Sequence, residues 1–563
     1  MATDTPATPA TTAAGAVNAD TQRLHEMGYA QELNRKMGWF SNFAISFSII
    51  SILAGGMTGF YIGLQAGGPK AIVFSWVIVG FFALLVGMAM AEIVSVYPTA
   101  GGLYYWSAKL ARKNGPMWSW YTGWFNMIGQ IGTIASVDYA LATFTGFFIT
   151  LYRPSFGLSG SNGARNVFII FCLYLVAHGL LNTFRVDLVA KLGDISVWWH
   201  VVGVLIIFAF LFLVPSQHES LSFMFKSKNL TGWSGPFAGV WVFALGLLLA
   251  QYTITGFDAS AHVSEETHDA GRSASVAIVR SIYISAIAAL VLDVGLLRAM
   301  PGGDKAYSAI ALTGINAAPA IIQGAIGGAG AKLLIFIAIV GQFFCGMACV
   351  TANSRMIYAF SRDGAVPGHK LWHRINPRTR TPTNSVWLGV VLSAIVGASS
   401  LIQNKGYSVA FFAMTGICVV GLYIAYVIPV FLRLRNPDFV QGEWNLRGYS
   451  QIVGWTAVVW VVFVSIYFFS PFYPVLGYLR AHQYSLFVNN FNWAGPLIGI
   501  SFIVVTIWWF TSAKNWFKGP QVQGDTDELM AIEAALIAGD VATFTKIEHQ
   551  EEGRIDEQIH HHD

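Results

Sequence analysis

The stretch "QYTITGFDASAHVSEE", residues 251–266, sets a carboxylate, an imidazole and two further carboxylates at the end of an apolar run, "FAGVWVFALGLLLA". Gly256 precedes Asp258 by two residues, and His262 follows it by four, on the same face of a helix. A glycine loosens a helix and a carboxylate is costly in hydrocarbon, so the combination reads as a functional site. Two roles fit Asp258. It takes up and releases a proton, or it caps backbone N–H groups of a half-helix that starts after Gly256. One residue can do both. Asp258 and His262 alone are too few ligands for a metal site. Glu265 and Glu266 mark where the segment leaves the membrane.

A second interruption lies in "NFAISFSIISILAGGMTGFYIGLQAGGP", where Gly55, Gly56 and Gly59 divide an apolar stretch beside Thr58. The later stretch is interrupted around Thr253, Thr255 and Gly256. Backbone left unpaired at membrane depth is tolerated only where protein or a water-filled cavity satisfies it. A single membrane glycine commonly serves close helix packing. Two clusters in matching positions of two halves point instead to a transporter built from inverted repeats.

The elements that must position these residues follow from composition. Of 563 residues 55% are hydrophobic and 11% charged, with a mean hydropathy of +0.55. Soluble domains carry about 25% charged residues, so the chain reads as a polytopic all-α membrane protein. Apolar stretches long enough to span fall at about 40–64, 71–97, 117–151, 166–184, 193–214, 237–263, 275–300, 331–360, 383–402, 407–432, 452–475 and 494–513. Twelve spans put both ends on one side. Basic residues concentrate in the loops on that side, above all in "RDGAVPGHKLWHRINPRTR", so both termini are expected in the cytoplasm.

Residues 1–38 read as a cytosolic tail, 39–515 as the twelve-helix domain, and 516–563 as an acidic cytosolic tail that fits either a short helix or a solvated segment. Within the domain the repeats cover about 40–214 and 237–432, and two extra helices occupy 452–513. The formal charge of +4 implies no nucleic-acid partner. Cys172, Cys345, Cys349 and Cys418 all lie in apolar segments and complete no zinc pattern. Asp138 and Asp293 also fall inside spans and read as structural or gating groups, with Arg280 or Arg298 as partners.

"AMAEIVSVYPTAGGLYYWSAKLA" and "NSRMIYAFSRDGAVPGHKLWHRINPRTRTP" resemble marker segments of the amino acid–polyamine–organocation transporter superfamily. With "LQAGGP" and "GFDASAHVSEET" they look most like its GABA, choline and polyamine permease branch, over about residues 36–515. The resemblance implies the LeuT-type fold, with spans 1–5 and 6–10 as inverted repeats and the substrate at the breaks of spans 1 and 6. It places Gly55, Gly56 and Thr58 against a substrate carboxylate, carbonyls from Thr253 to Gly256 against an amine, and Phe257 over the bound molecule. Freed N–H groups and the positive end of a half-helix account for the first contact, and a cation–π contact for the last.

The chain departs from the pattern in span 1, where "AGGMTG" replaces the Gly-Ser-Gly of many members. That favours a longer or differently shaped amine over an ordinary α-amino acid. The resemblance also makes Asp258 a proton-coupling residue. It aligns His200 with a lysine whose ammonium replaces sodium in proton-coupled relatives, so His200 is either the protonatable switch or a satisfied core histidine. Glu265 and Glu266, facing Arg355 and Arg362, form an expected inner gate or a set of solvated helix-end charges.

The function expected is import of a small amine-bearing solute, GABA first, by proton symport across the plasma membrane. Choline, ethanolamine or polyamine transport is the alternative, and a transporter-like sensor with little flux is the rival of another class. Sodium coupling is not excluded, no further cofactor is implied, and oligomeric state is open. No nucleophile elbow, Gly-rich phosphate loop or metal cluster points to an enzyme.

Overall fold

The computed structural model describes residues 19–158, 160–184, 186–302, 304–402 and 409–547. Among them, eleven helical segments are long and apolar enough to cross a membrane. Spans 1 to 5 are Trp39–Gln65, Gly68–Val94, Gly115–Thr150, Gly160–Phe184 and Leu188–Leu213. Spans 7 to 10 are Ala270–Arg298, Gly328–Arg362, Thr383–Leu401 and Ala410–Leu434. Spans 11 and 12 are Arg447–Phe469 and Ala494–Trp516. Span 6 is the twelfth crossing and is made of pieces: Ala238–Gly246 and Leu248–Thr253, then Ala259–His262. Helices close their own backbone hydrogen bonds, which lipid requires. Spans 2 and 3 start on Pro69 and Pro116, whose missing N–H falls where a helix has no intrahelical acceptor for it.

The packing has the form of an inverted repeat. Span 2 lies along span 7, span 3 along span 8, and span 4 along span 9, each helix against the one five spans later. Both halves of span 1 likewise meet the pieces of span 6. A pseudo-two-fold axis in the membrane plane relates such pairs, as in the LeuT-type fold. Spans 11 and 12 add to the outside, against span 10. Large apolar side chains are exposed along spans 4, 5, 11 and 12, including Leu173, Leu205, Val459 and Ile503, where lipid would cover them.

Span 1 departs from the expected position of its break. Its first helix ends at Ile49, and a π turn covers Ile52–Gly56 before Met57–Gln65 resumes. The helix lapses at Ile50 and Ser51, and Gly55 and Gly56 fall in the π turn that follows. Ser51 caps the start of the π turn by accepting the Ala54 N–H on its hydroxyl at 3.1 Å. The buried aspartates also find partners other than those expected. Asp138 lies 3.1 Å from His178 Nδ1, and Asp293 accepts from Trp76 Nε1 at 2.9 Å. Arg280 instead covers the ring of Trp39, and Arg298 that of Phe212.

The described parts of both tails, residues 19–38 and 516–547, fold against one face of the helix bundle. The acidic tail contains a helix, Thr526–Ala538, started by a capping box of Asp525 and Glu528. Leu529, Ile532 and Leu536 bury its apolar face. The segment before span 1 runs beneath it, with His25 2.7 Å from Glu533 and Gln523 donating to Glu32 at 2.6 Å.

Candidate functional site

The interrupted helices face each other. A methyl group added at Gly55 would stand 2.8 Å from both the Cα and the hydroxyl of Thr253, so only glycine allows the two segments this close. Gly256 has φ +93°, and a Cβ there would fall 2.3 Å from Ile49. Helix ends inside a membrane must place their orphan groups, and here side chains take most of them.

In span 1, Cys345 donates to the Ile49 carbonyl at 3.2 Å and Gln342 to that of Leu53 at 3.2 Å. The Gly55 N–H goes to the Ser51 carbonyl at 2.9 Å. The Thr58 hydroxyl is buried with no hydrogen-bond partner among the described residues. In span 6, Tyr423 donates to the Ile254 carbonyl at 2.8 Å, and the Gly256 N–H donates to Tyr426 at 3.1 Å. Ser46 donates to the Phe257 carbonyl at 2.9 Å, so span 1 braces the resumed half of span 6. The Phe257 ring is fully buried against Tyr426, with centroids 4.8 Å apart.

Behind each break stands a histidine. His200 Nδ1 lies 2.8 Å from the Ser196 carbonyl, and Nε2 lies 2.6 Å from the Ser51 hydroxyl. A carbonyl only accepts, so Nδ1 carries a proton and Nε2 takes the Ser51 hydrogen. A neutral imidazole satisfies both contacts. Behind span 6, Asp258 is 2% exposed and accepts from Tyr426 at 2.6 Å and from Asn126 at 3.4 Å. His262 Nε2 approaches the same oxygen as Asn126, Oδ2, at 3.2 Å, while Tyr426 donates to Oδ1.

Below the breaks, toward the face of the termini, the two glutamates meet the two expected arginines. Arg355 holds Glu266 through two contacts at 2.7 and 3.2 Å, and Arg362 lies 3.2 Å from Glu265. All four side chains are buried. Tyr29 of the tail covers Arg362, with the guanidinium 3.8 Å from the ring centre. Tyr29 and Tyr104 both donate to Asp363, at 3.1 and 2.7 Å. Burial pushes the Asp363 carboxyl up to about 6, and the neighbouring Arg362 opposes that shift. Toward the opposite face, a cavity of about 140 Å³ is lined by Tyr61, Tyr139, Thr143, Asn316, Phe412 and Asn492 among others.

Several partners were not singled out from the sequence: Ser46, Ser51, Asn126, Tyr423 and Tyr426. The two tyrosines carried a signal, since "GLYIAYVI" puts polar tips three residues apart in an apolar span. The serines carried little, because serine is common in membrane helices.

The amino acid permease family pattern matches residues 37–503. The amino-acid permease BAT1 of Arabidopsis thaliana is 40% identical over 513 residues, 88% of this chain and 95% of that protein. Its homolog in Oryza sativa is 38% identical, covering 91% and 98%. The GABA-specific permease of Saccharomyces cerevisiae is 30% identical, covering 93% and 90%.

Proposed function

The chain belongs to the amino acid permease family, and from that premise we propose that it imports a GABA-like amino acid by proton symport. It does so across the plasma membrane, with both termini in the cytoplasm. The observation that carries this reading is Asp258, a buried carboxylate at the span 6 break, joined to the substrate segment through Tyr426 and the Gly256 N–H. Its oxygens already accept from Tyr426 and Asn126 and face His262, which suits a coupling group better than a receptor for a cargo ammonium. The unpartnered Thr58 hydroxyl is available to a substrate carboxylate at the other break. The printed name of the yeast relative supports GABA as the first solute to try. The basic loops on the side of the termini support the orientation.

In this reading the Glu266–Arg355 and Glu265–Arg362 pairs are the inner gate, formed here and parted when the carrier faces inward. The test is uptake of labelled GABA, alanine, choline and putrescine into liposomes, with and without an inward proton gradient. Gradient-dependent GABA accumulation is the expected result. Accumulation of choline or putrescine in place of GABA, or GABA uptake indifferent to the gradient, overturns the reading.

A further inference from the structure

We propose that Asp258 and His262 hold one proton between them, and that this proton fastens span 6 to the loop between spans 2 and 3. The inference deepens the symport reading and rests on Asp258 as its coupling group. It assigns His262 as a positioning residue that relays protonation to the inner gate.

His262 is fully buried one turn beyond Asp258. Its Nδ1 lies 2.8 Å from the carbonyl oxygen of Ala100, in the loop following span 2. That oxygen only accepts, so Nδ1 carries a hydrogen. A neutral imidazole has no second N–H, which leaves the Nε2 lone pair aimed at Asp258 Oδ2 over 3.2 Å. Two acceptors do not rest at that distance. One more proton lies between them, on the ring or on the carboxyl. Tyr426 does not supply it, because its oxygen receives the Gly256 N–H and its own hydrogen goes to Oδ1. His200, by contrast, is satisfied as a neutral ring.

The surrounding groups leave this pair as the place where charge changes. Span 10 presents Tyr426, Tyr423 and Cys418 toward Asp258. Span 3 presents the amide of Asn126, itself bonded to Gln130, which in turn accepts from the amide of Asn353 in span 8. Span 1 presents Ser46 and Asn42 to this piece of span 6. The loop faces the ring with backbone at Ala100 and Gly102. Further along span 6, Glu265 and Glu266 are paired with Arg362 and Arg355.

Ala100 is held twice. Its carbonyl takes the His262 hydrogen, and its N–H donates to Glu265 at 2.9 Å. Glu265 is the same carboxylate that meets Arg362. When the proton leaves to water on the side of the termini, a carboxylate and a neutral imidazole remain, with one N–H between two acceptors. A charge-assisted hydrogen bond is about twice as strong as a neutral one, so the N–H turns to Asp258 and the Ala100 carbonyl is released. Ala100 then loses one of its two ties to this end of span 6 and keeps only the one to Glu265 of the gate.

The test is amide hydrogen exchange of residues 97–103 in the full chain in detergent, corrected for the intrinsic chemical rate, alongside the pH profile of GABA uptake. In the wild type, protection of the loop falls about tenfold as pH rises, the scale of one lost hydrogen bond. His262→Gln has an amide that does not titrate, so protection of the loop becomes flat with pH. Asp258→Asn donates to a neutral ring without an extra proton and flattens the exchange profile as well. It supplies the same readout if the first variant does not fold. A wild-type loop indifferent to pH, or variants that keep its full pH dependence, overturns the proposal. If the wild type does not accumulate GABA with the gradient, the symport reading fails, and the exchange profile still decides whether the proton is shared.

Discussion

The breaks in spans 1 and 6 occupy matching places in the two repeats, yet they are built from different chemistry. The span 1 break is held by neutral groups: the Ser51 hydroxyl, the His200 ring, Gln342 and Cys345. The span 6 break is held by a carboxylate, two tyrosines and a second imidazole. Hydroxyls and amides place a backbone without changing charge, whereas a buried carboxylate beside an imidazole depends on a proton. In the proposed mechanism, one break shapes the site and the other couples it.

The largest expected effect breaks the contact between the two. Gly55→Ala would drive a methyl against the Cα of Thr253, which is backbone and does not yield as a side-chain tip does. Uptake should fall about a hundredfold, since small displacements at a transport site are as costly as those at a reacting one. Thr253→Ala in the same chain should not restore it, because the Cα remains. Recovery in the double variant would show that only the side chain set the spacing.

Next comes Tyr426→Phe, which strips Asp258 of its shortest donor and leaves the Gly256 N–H unmet. Leaving buried polar groups unpaired costs about 1–3 kcal/mol each. Gradient-driven uptake should drop at least about tenfold. A loss below about twofold would mean that span 6 holds its shape without this network, as span 1 does without a carboxylate.

His200→Gln sharpens the contrast directly. Glutamine can accept from Ser51 and donate to the Ser196 carbonyl, so the neutral contacts survive. The pH profile of uptake should match that of the wild type, with affinity changed by no more than about threefold. A flattened profile would move the protonatable role to span 1 and undo the comparison.

The smallest effect concerns a carboxylate outside both breaks. Asp363 has its pKa raised from 3.8 to about 6, mainly by burial beneath the tails. Its stabilising contribution is complete below the unfolded value of 3.8 and is lost as pH rises through 6, about 3 kcal/mol in all. Asp363→Asn should remove that slope in melting temperature between those pH values and leave the transport profile of the breaks in place. A slope unchanged by the substitution would show that the tails carry no such strain.

Much of this was legible in the chain. Apolar lengths marked the twelve crossings, and "YTITGFD" located the span 6 break to within a residue or two, because threonines and a glycine weaken a helix before a carboxylate can cap it. "AGGMTG" was a less accurate guide. Glycine permits the π turn through Gly55 and Gly56, but the place where the new segment starts is set by Ser51, which accepts the Ala54 N–H. The glutamate–arginine pairs could be expected from opposite charges at adjoining span ends, but their one-to-one matching required the folded geometry. Of the two histidines, sequence position drew attention to His200, while hydrogen-bond partners set His262 apart.

The sequence alone determined that this chain crosses a membrane many times, in two related halves with interrupted helices. Hydrophobic length and backbone chemistry act locally, and each span carries its own record of them. Only the tertiary structure decided which group faces which across the breaks. Whether a buried imidazole is neutral or, as proposed for His262, shares a proton depends on its partners: the Ser51 hydroxyl of span 1 for one ring, and for the other Asp258 together with the Ala100 carbonyl of a loop distant in sequence.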